Sequence, residues 1–100
     1  MRFAEKVYGL TRRIPPGKVS TYGEIARALK CRAYRAVGNV LNKNPYAPIV
    51  PCHRIVCSDG RVGGFASGTK NKINLLRKEG IKIKNGKVVG FEKVFFRFPV

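Results

Sequence analysis

A chain of 100 residues is the length of one small domain, with room for a single core and none for a second folded unit. Its 21 Lys and Arg against 5 Asp and Glu give a formal charge of +16, which points to a polyanionic partner, nucleic acid before a membrane surface. No run approaches the roughly 18 apolar residues of a membrane span, and Arg2, Glu5, Lys6, Arg12 and Arg13 break up the start, so neither an anchor nor a signal peptide is expected.

In chain order, Phe3, Val7, Leu10 and Ile14 repeat at helical spacing up to the Pro15-Pro16-Gly17 break, predicting a first helix. Thr21-Tyr22-Gly23-Glu24 has the form of a capping box, and Tyr22, Ile25, Ala26 and Leu29 then share one face of a second. Beyond a short link at Lys30-Cys31, Tyr34, Val37, Gly38 and Leu41 predict a third helix, with Arg35, Asn39 and Asn42 on its opposite face. Two short helices joined tightly, the second polar outside, outline a helix-turn-helix, although many helical pairs are polar outside for solubility alone.

Asn44-Pro45 ends the third helix, because the residue before proline is pushed out of the helical region. Residues 49–57, Ile-Val-Pro-Cys-His-Arg-Ile-Val-Cys, form an apolar run interrupted by a nucleophile, a base and a cation. Ser58-Asp59-Gly60 predicts a turn, Val62 to Phe65 a short strand, and Thr69 the cap of a fourth helix that carries Ile73 and Leu76 and ends at Gly80. Ile81 and Ile83 alternate with Lys82 and Lys84 before Asn85-Gly86 and another apolar run, a hairpin signature. The expected fold class is α+β: a small, mainly helical domain, spanning residues 1–100, with a winged helix-turn-helix.

Cysteine chemistry singles out Cys52. An ordinary thiol, with a pKa near 8.5, is only a few per cent thiolate at neutral pH, so it needs a neighbouring base or cation. His53 is the only histidine; on extended backbone it points away from Cys52 and would act through a bridging water. A carboxylate to orient it must come from Glu5, Glu24, Asp59, Glu79 or Glu92. A cysteine buried as a small apolar residue and a hydrogen-bonded core histidine are the plain alternatives. A zinc site built from Cys31, Cys52, His53 and Cys57 lacks the spacing of a zinc knuckle. The odd cysteine count without framework spacing favours a reducing, cytoplasmic setting, nucleoid-associated in a prokaryote or nuclear in a eukaryote.

Several motifs match a known family together and in register. They are Val19-Ser20-Thr21-Tyr22-Gly23, Arg35-Ala36-Val37-Gly38, Asn44-Pro45, Pro51-Cys52-His53-Arg54, Val62-Gly63-Gly64-Phe65 and Leu75-Leu76-Arg77-Lys78-Glu79-Gly80. From Lys18 to Gly80 the chain resembles the C-terminal domain of the methylated-DNA-protein cysteine methyltransferases, the O6-alkylguanine-DNA alkyltransferases. The resemblance implies single-turnover transfer of an alkyl group from guanine in double-stranded DNA to Cys52, with no cofactor or metal, by a monomer that does not engage membranes. His53 then matches the residue that takes the thiol proton through water, Glu79 the carboxylate that holds it, and Asn44 an asparagine bracing the turn before the active segment. Tyr22 matches the tyrosine that turns the target phosphate outward, and Arg35 the finger that enters the base stack. Arg32, Ala33, Asn39 and Lys43 complete the implied DNA contacts of helix three in the minor groove. Pro51, Val56, Phe65, Ala66 and Ser67 line the implied alkylguanine pocket.

Two departures stand out. Phe65 occupies a position where members commonly have a tyrosine whose hydroxyl assists the departing guanine oxygen. The N-terminal domain of most repair members is absent, so in length the chain resembles the alkyltransferase-like proteins, which flip the lesion without repairing it and carry another residue at the acceptor. The intact Pro-Cys-His-Arg motif favours repair over lesion binding. A plain DNA-binding regulator with a buried cysteine would explain the charge and the helix pair but not the Cys52, His53 and Glu79 constellation.

Overall fold

The computed structural model describes residues 2–46, 49–63 and 68–99. Helix α1 (Phe3–Thr11) buries Val7 and Thr11, and the Thr11 hydroxyl is satisfied internally by donating to the Val7 carbonyl, 2.8 Å away. It stops a turn earlier than the apolar spacing predicts: Arg13 N and Ile14 N bond the Leu10 and Thr11 carbonyls, and Ile14 enters the core from this irregular turn. Burial, not helical phase, accounts for Ile14.

Strand β1 (Ser20–Thr21) runs directly into helix α2 (Tyr22–Ala28), and the Thr21 hydroxyl caps it by accepting from Glu24 N at 3.0 Å. Only half of the expected capping box forms. The Glu24 carboxylate does not return to Thr21 but takes a bidentate pair of bonds from Arg27 and a third from Phe98 N. Lys30, at φ +58°, ends α2, and Cys31 N closes back on the Ala26 carbonyl. Helix α3 (Tyr34–Asn42) then buries Val37 and Leu41 against α1 and α2. Val7, Ile14, Ile25, Ala26, Val37, Leu41, Ile55 and Phe98 form this first core. Each such aliphatic side chain contributes about 1.5–3 kcal/mol on burial.

A second core, of Val19, Val56, Val62, Leu76, Ile81, Ile83 and Val88, lies across the short parallel pairing of β1 with β2 (Ile55–Val56). Helix α4 (Thr69–Lys78) covers it. Thr69 is the first helical residue rather than the cap: Gly68 holds the cap position at φ +100°, and the Thr69 hydroxyl reaches the Gly63 carbonyl at 3.5 Å. Gly80 ends α4 at φ +89°, with Ile81 N bonded to the Leu76 carbonyl.

The predicted hairpin is β3 (Ile83–Lys84) against β4 (Lys87–Val88), turned by Asn85 and Gly86 at φ +53° and +74°. Positive φ at both turn positions is the type I′ geometry that Asn-Gly favours. With α2 and α3 it completes the expected winged arrangement. Of the strand expected at Val62 to Phe65, Arg61 bridges Lys87 and Val62 N bonds the Gly86 carbonyl, while Phe65 lies outside the described residues. After α5 (Phe91–Val94) the tail returns as a strap: Phe96 N bonds the Val19 carbonyl, Ser20 Oγ donates to Phe96 O, and Phe98 is buried in the first core.

Candidate active site around Cys52

The segment between the two cores is not extended as the sequence suggests. Cys52–Arg54 is a single 3-10 turn, entered through Pro51, with Cys52 N bonded to the Val50 carbonyl and Arg54 N to Pro51 O. Asn44 fixes its approach: Nδ2 donates to the Val50 carbonyl at 2.8 Å and Oδ1 accepts from Tyr46 N at 2.9 Å. The turn leaves Cys52 half-buried and sends the His53 ring inward, where it is 4 % exposed.

Helix α4 meets this turn at its C-terminal end. Glu79 accepts two-pronged bonds from Arg54, whose Nη1 also donates to the Ile14 carbonyl at 2.7 Å. His53 Nε2 lies 3.2 Å from Glu79 Oε2, within ion-pair distance but poorly aligned for a hydrogen bond, and it has no other partner among the described residues. Burial pushes the His53 pKa below its ordinary 6.5, outweighing the pull of Glu79 in the other direction, so the ring is neutral at pH 7. Burial pushes Glu79 upward, but the bonds from Arg54, its charge and the neighbouring His53 ring hold it below the usual carboxylate range.

Lys72 was not singled out by sequence, and it is completely buried. Its ammonium donates to the Ile55 carbonyl, just past the Cys52 turn, and burial lowers its pKa to about 8, opposed by the nearby thiols of Cys57 and Cys52. The signal was available: Lys72, Leu76 and Glu79 follow helical spacing on one stripe, so a lysine occupies a core-facing position. Arg54 was noticed only as part of a motif, whereas the structure gives it the larger share of Glu79.

The polar face of α3 opens beside this centre. Tyr22, Tyr34, Arg35, Gly38, Asn39 and Asn42 line a groove of about 430 Å³. A neighbouring cavity of about 400 Å³ is lined by Tyr22, Gly23, Tyr34, Cys57 and Ser58. Tyr22 therefore belongs to both, and its hydroxyl pKa is raised by burial first and then by Cys57 and Cys52. The structure thus gathers Cys52, His53, Glu79 and Asn44 around one turn, and Tyr22, Arg35 and Asn39 along one groove. Arg32, Ala33 and Lys43 are exposed at the two ends of α3 rather than in the groove.

Of the five expected pocket residues, two are described. Pro51 is buried and Val56 belongs to the second core, so in this conformation neither offers an open wall, and Phe65, Ala66 and Ser67 lie outside the described residues. Tyr34 and Cys57, which the sequence did not single out for a pocket, line the cavity beside Tyr22. Cys31, Cys52 and Cys57 are free thiols. Among the described residues no three His, Cys, Asp or Glu side chains converge as metal ligands, and no helix is long and apolar enough to cross a membrane.

A family model described as the DNA binding domain of 6-O-methylguanine DNA methyltransferase matches residues 2–81. The chain belongs to this family. It is 49 % identical over 82 residues to a methylated-DNA–protein-cysteine methyltransferase of Sulfolobus acidocaldarius, covering 82 % of this chain and 52 % of that protein. The crystal structure of O6-methylguanine-DNA methyltransferase from Pyrococcus kodakaraensis superposes with a TM-score of 0.74 at 43 % identity, over 81 % of this chain and 47 % of that one. Schizosaccharomyces pombe Atl1, in complex with damaged DNA containing O6-carboxymethylguanine, superposes with a TM-score of 0.85 at 32 % identity, over 97 % of this chain and 99 % of that one. The chain spans between 28 % and 52 % of the length of the curated relatives it matches, and nearly all of Atl1.

Proposed function

We propose that the chain repairs DNA directly, transferring the alkyl group of an O6-alkylguanine to Cys52 once per molecule. The observation that carries this is the half-buried Cys52 thiol on a braced turn beside the buried, neutral His53 and its Glu79–Arg54 support. A neutral ring can accept the thiol proton, either directly or through a bridging water, and Glu79 stabilises the imidazolium so formed. The Lys72 ammonium adds a positive charge close to the developing thiolate.

The damaged nucleotide must leave the duplex to reach the sulfur, which costs a few kcal/mol. Arg35, exposed on the rim of the α3 groove, is a side chain long enough to fill the vacated stack, and Tyr22, shared by groove and cavity, stands where the nucleotide would pass. In the chemical step an Sγ–C bond forms as the C–O6 bond breaks. The thiol has lost its proton to His53, and the departing guanine takes up one proton to become ordinary guanine. The thioether has no route back, so turnover stops at one.

The likeness to Atl1 along almost the whole chain favours a second role, capture of the lesion without transfer. Cys52 separates the two, since a lesion binder needs no nucleophile. The test is to incubate a duplex carrying one O6-methylguanine with increasing protein, digest the DNA and quantify its nucleosides. Direct repair predicts one guanine restored per protein molecule and none beyond that. An intact lesion at all protein ratios, with tight binding retained, would assign the chain to lesion capture.

A further inference from the structure

The hairpin carries a row of charge that the Cys52 site does not use. Lys84 and Lys87 are direct cross-strand partners, and Arg61 bridges Lys87 from the other side, so the order across this small sheet is Arg61, Lys87, Lys84. Directly paired residues project from the same face, and the opposite face is identified by Ile83 and Val88, which are paired and buried. All three cations are exposed. Lys82 extends the row, because its carbonyl accepts from Val89 N and alternation puts its side chain on the Lys84 face.

Like charges placed directly opposite each other destabilise a sheet. Among the described residues Asp59, 2.7 Å from Arg61, is the one carboxylate ion-paired in this row, and it leaves most of the row's charge unbalanced. The row also joins the groove by a short path. Ser58 lines the cavity with Tyr22 and Tyr34, and the turn from Cys57 to Arg61, closed by Cys57 N on the Arg61 carbonyl, leads straight to its first member. Two strand spacings span about 10 Å. Successive phosphates of a strand wind around the axis as they rise about 3.4 Å each, so a row of this length reaches about two neighbouring phosphates.

We propose that Arg61, Lys87, Lys84 and Lys82 form a second DNA contact, a phosphate clamp on the backbone flanking the lesion. It rests on the reading of the chain as a DNA-repair protein but not on whether Cys52 accepts the alkyl group. Because the clamp touches phosphates and not bases, it holds damaged and undamaged duplex equally.

The test is a salt titration of duplex affinity by fluorescence anisotropy, with and without one O6-methylguanine, for the wild type, Lys84→Gln/Lys87→Gln and Arg2→Gln/Lys6→Gln. The last removes the same charge from α1 as a control. Each phosphate contact contributes about 0.9 to the log–log salt slope, so the hairpin variant should lose nearly two from its slope and about tenfold in affinity on both duplexes. The α1 control should shift affinity less than twofold. Unchanged slope in the hairpin variant, or equal losses in both variants, would overturn the clamp, as would a wild type that binds no DNA. A wild type that binds and shows the hairpin effect yet leaves the lesion unrepaired would remove alkyl transfer and keep the clamp.

Discussion

The molecule contains two carboxylate–guanidinium pairs that look alike and sit in different surroundings: Glu24 is buried beneath an exposed Arg27, whereas Glu79 and Arg54 are both half-buried. Glu24 takes two bonds from Arg27 and one from Phe98 N, all at 2.7 Å, and so ties the C-terminal strap onto α2. Glu79 takes a similar fork from Arg54 but also faces His53, a buried titratable ring with a poorly aligned nitrogen. In the first pair every donor is aligned and no group beside it needs to change protonation. In the second, the carboxylate is shared with a buried ring on the Cys52 turn, which we propose acts as the base. A carboxylate–guanidinium pair by itself therefore says little about function. What marks the site is the incompletely satisfied ring that shares the carboxylate.

The comparison breaks hardest at Glu79. Glu79→Ala leaves the half-buried Arg54 guanidinium with only the Ile14 carbonyl among its described partners, and losing these charge-assisted bonds costs about 3 kcal/mol. Urea denaturation should show that loss, and Glu79→Ala/Arg54→Met should recover much of it while alkyl transfer stays impaired. Recovery of transfer with stability would make Glu79 a purely structural residue.

Next in size is Lys72. Its folded pKa, about 8, lies below the ordinary 10.5, so between these values the unfolded chain binds more protons and stability rises with pH. The full span is about 3 kcal/mol. Lys72→Met should be as stable as the wild type or more so at pH 7, should lose that rise above pH 8, and should alkylate more slowly with iodoacetamide at Cys52. An undiminished rise in the variant would place the titration elsewhere.

Glu24→Gln should cost about 1–2 kcal/mol by weakening its charged hydrogen bonds, and leave the transfer rate at pH 7 unchanged. The bonds from Arg27 hold the Glu24 pKa below 4.5, so the wild type loses this contribution as pH falls through that depressed value and the variant does not. The smallest effect concerns His53. Its lowered pKa means that stability is lost as pH falls below 6.5, where the unfolded ring binds a proton first, and transfer slows once the folded ring itself is protonated. A His53→Gln variant should lack the first dependence and transfer slowly throughout, measurable by thermal melts and by transfer rates from pH 5 to 7.

Local signals explain what the sequence made legible. The apolar spacing of Ile25 with Ala26 and of Val37 with Leu41 reports one buried helical face, and Asn85-Gly86 specifies its turn chemically. Cys52, His53 and Glu79 stood out because a nucleophile, the single histidine and a matching motif coincide. What escaped depends on partners far along the chain. The 3-10 turn at Cys52 is braced by Asn44, the Arg54 fork closes over 25 residues, and the strap joins Phe96 to Ser20 across 76. Lys72 escaped because a lysine is read as a surface residue until its stripe is compared with Leu76 and Glu79. Pro51 and Val56, expected in the pocket, are buried, and the other three residues expected there lie outside the described residues.

The most direct test of the account is intact-mass spectrometry after incubation with a duplex holding one O6-methylguanine, beside an undamaged duplex and a Cys52→Ala control. The account predicts a gain of one methyl group, mapped to Cys52 and seen only with the damaged duplex and the wild-type thiol. An unchanged mass, with selective binding of the damaged duplex retained, would contradict it and make the chain a lesion-capturing protein.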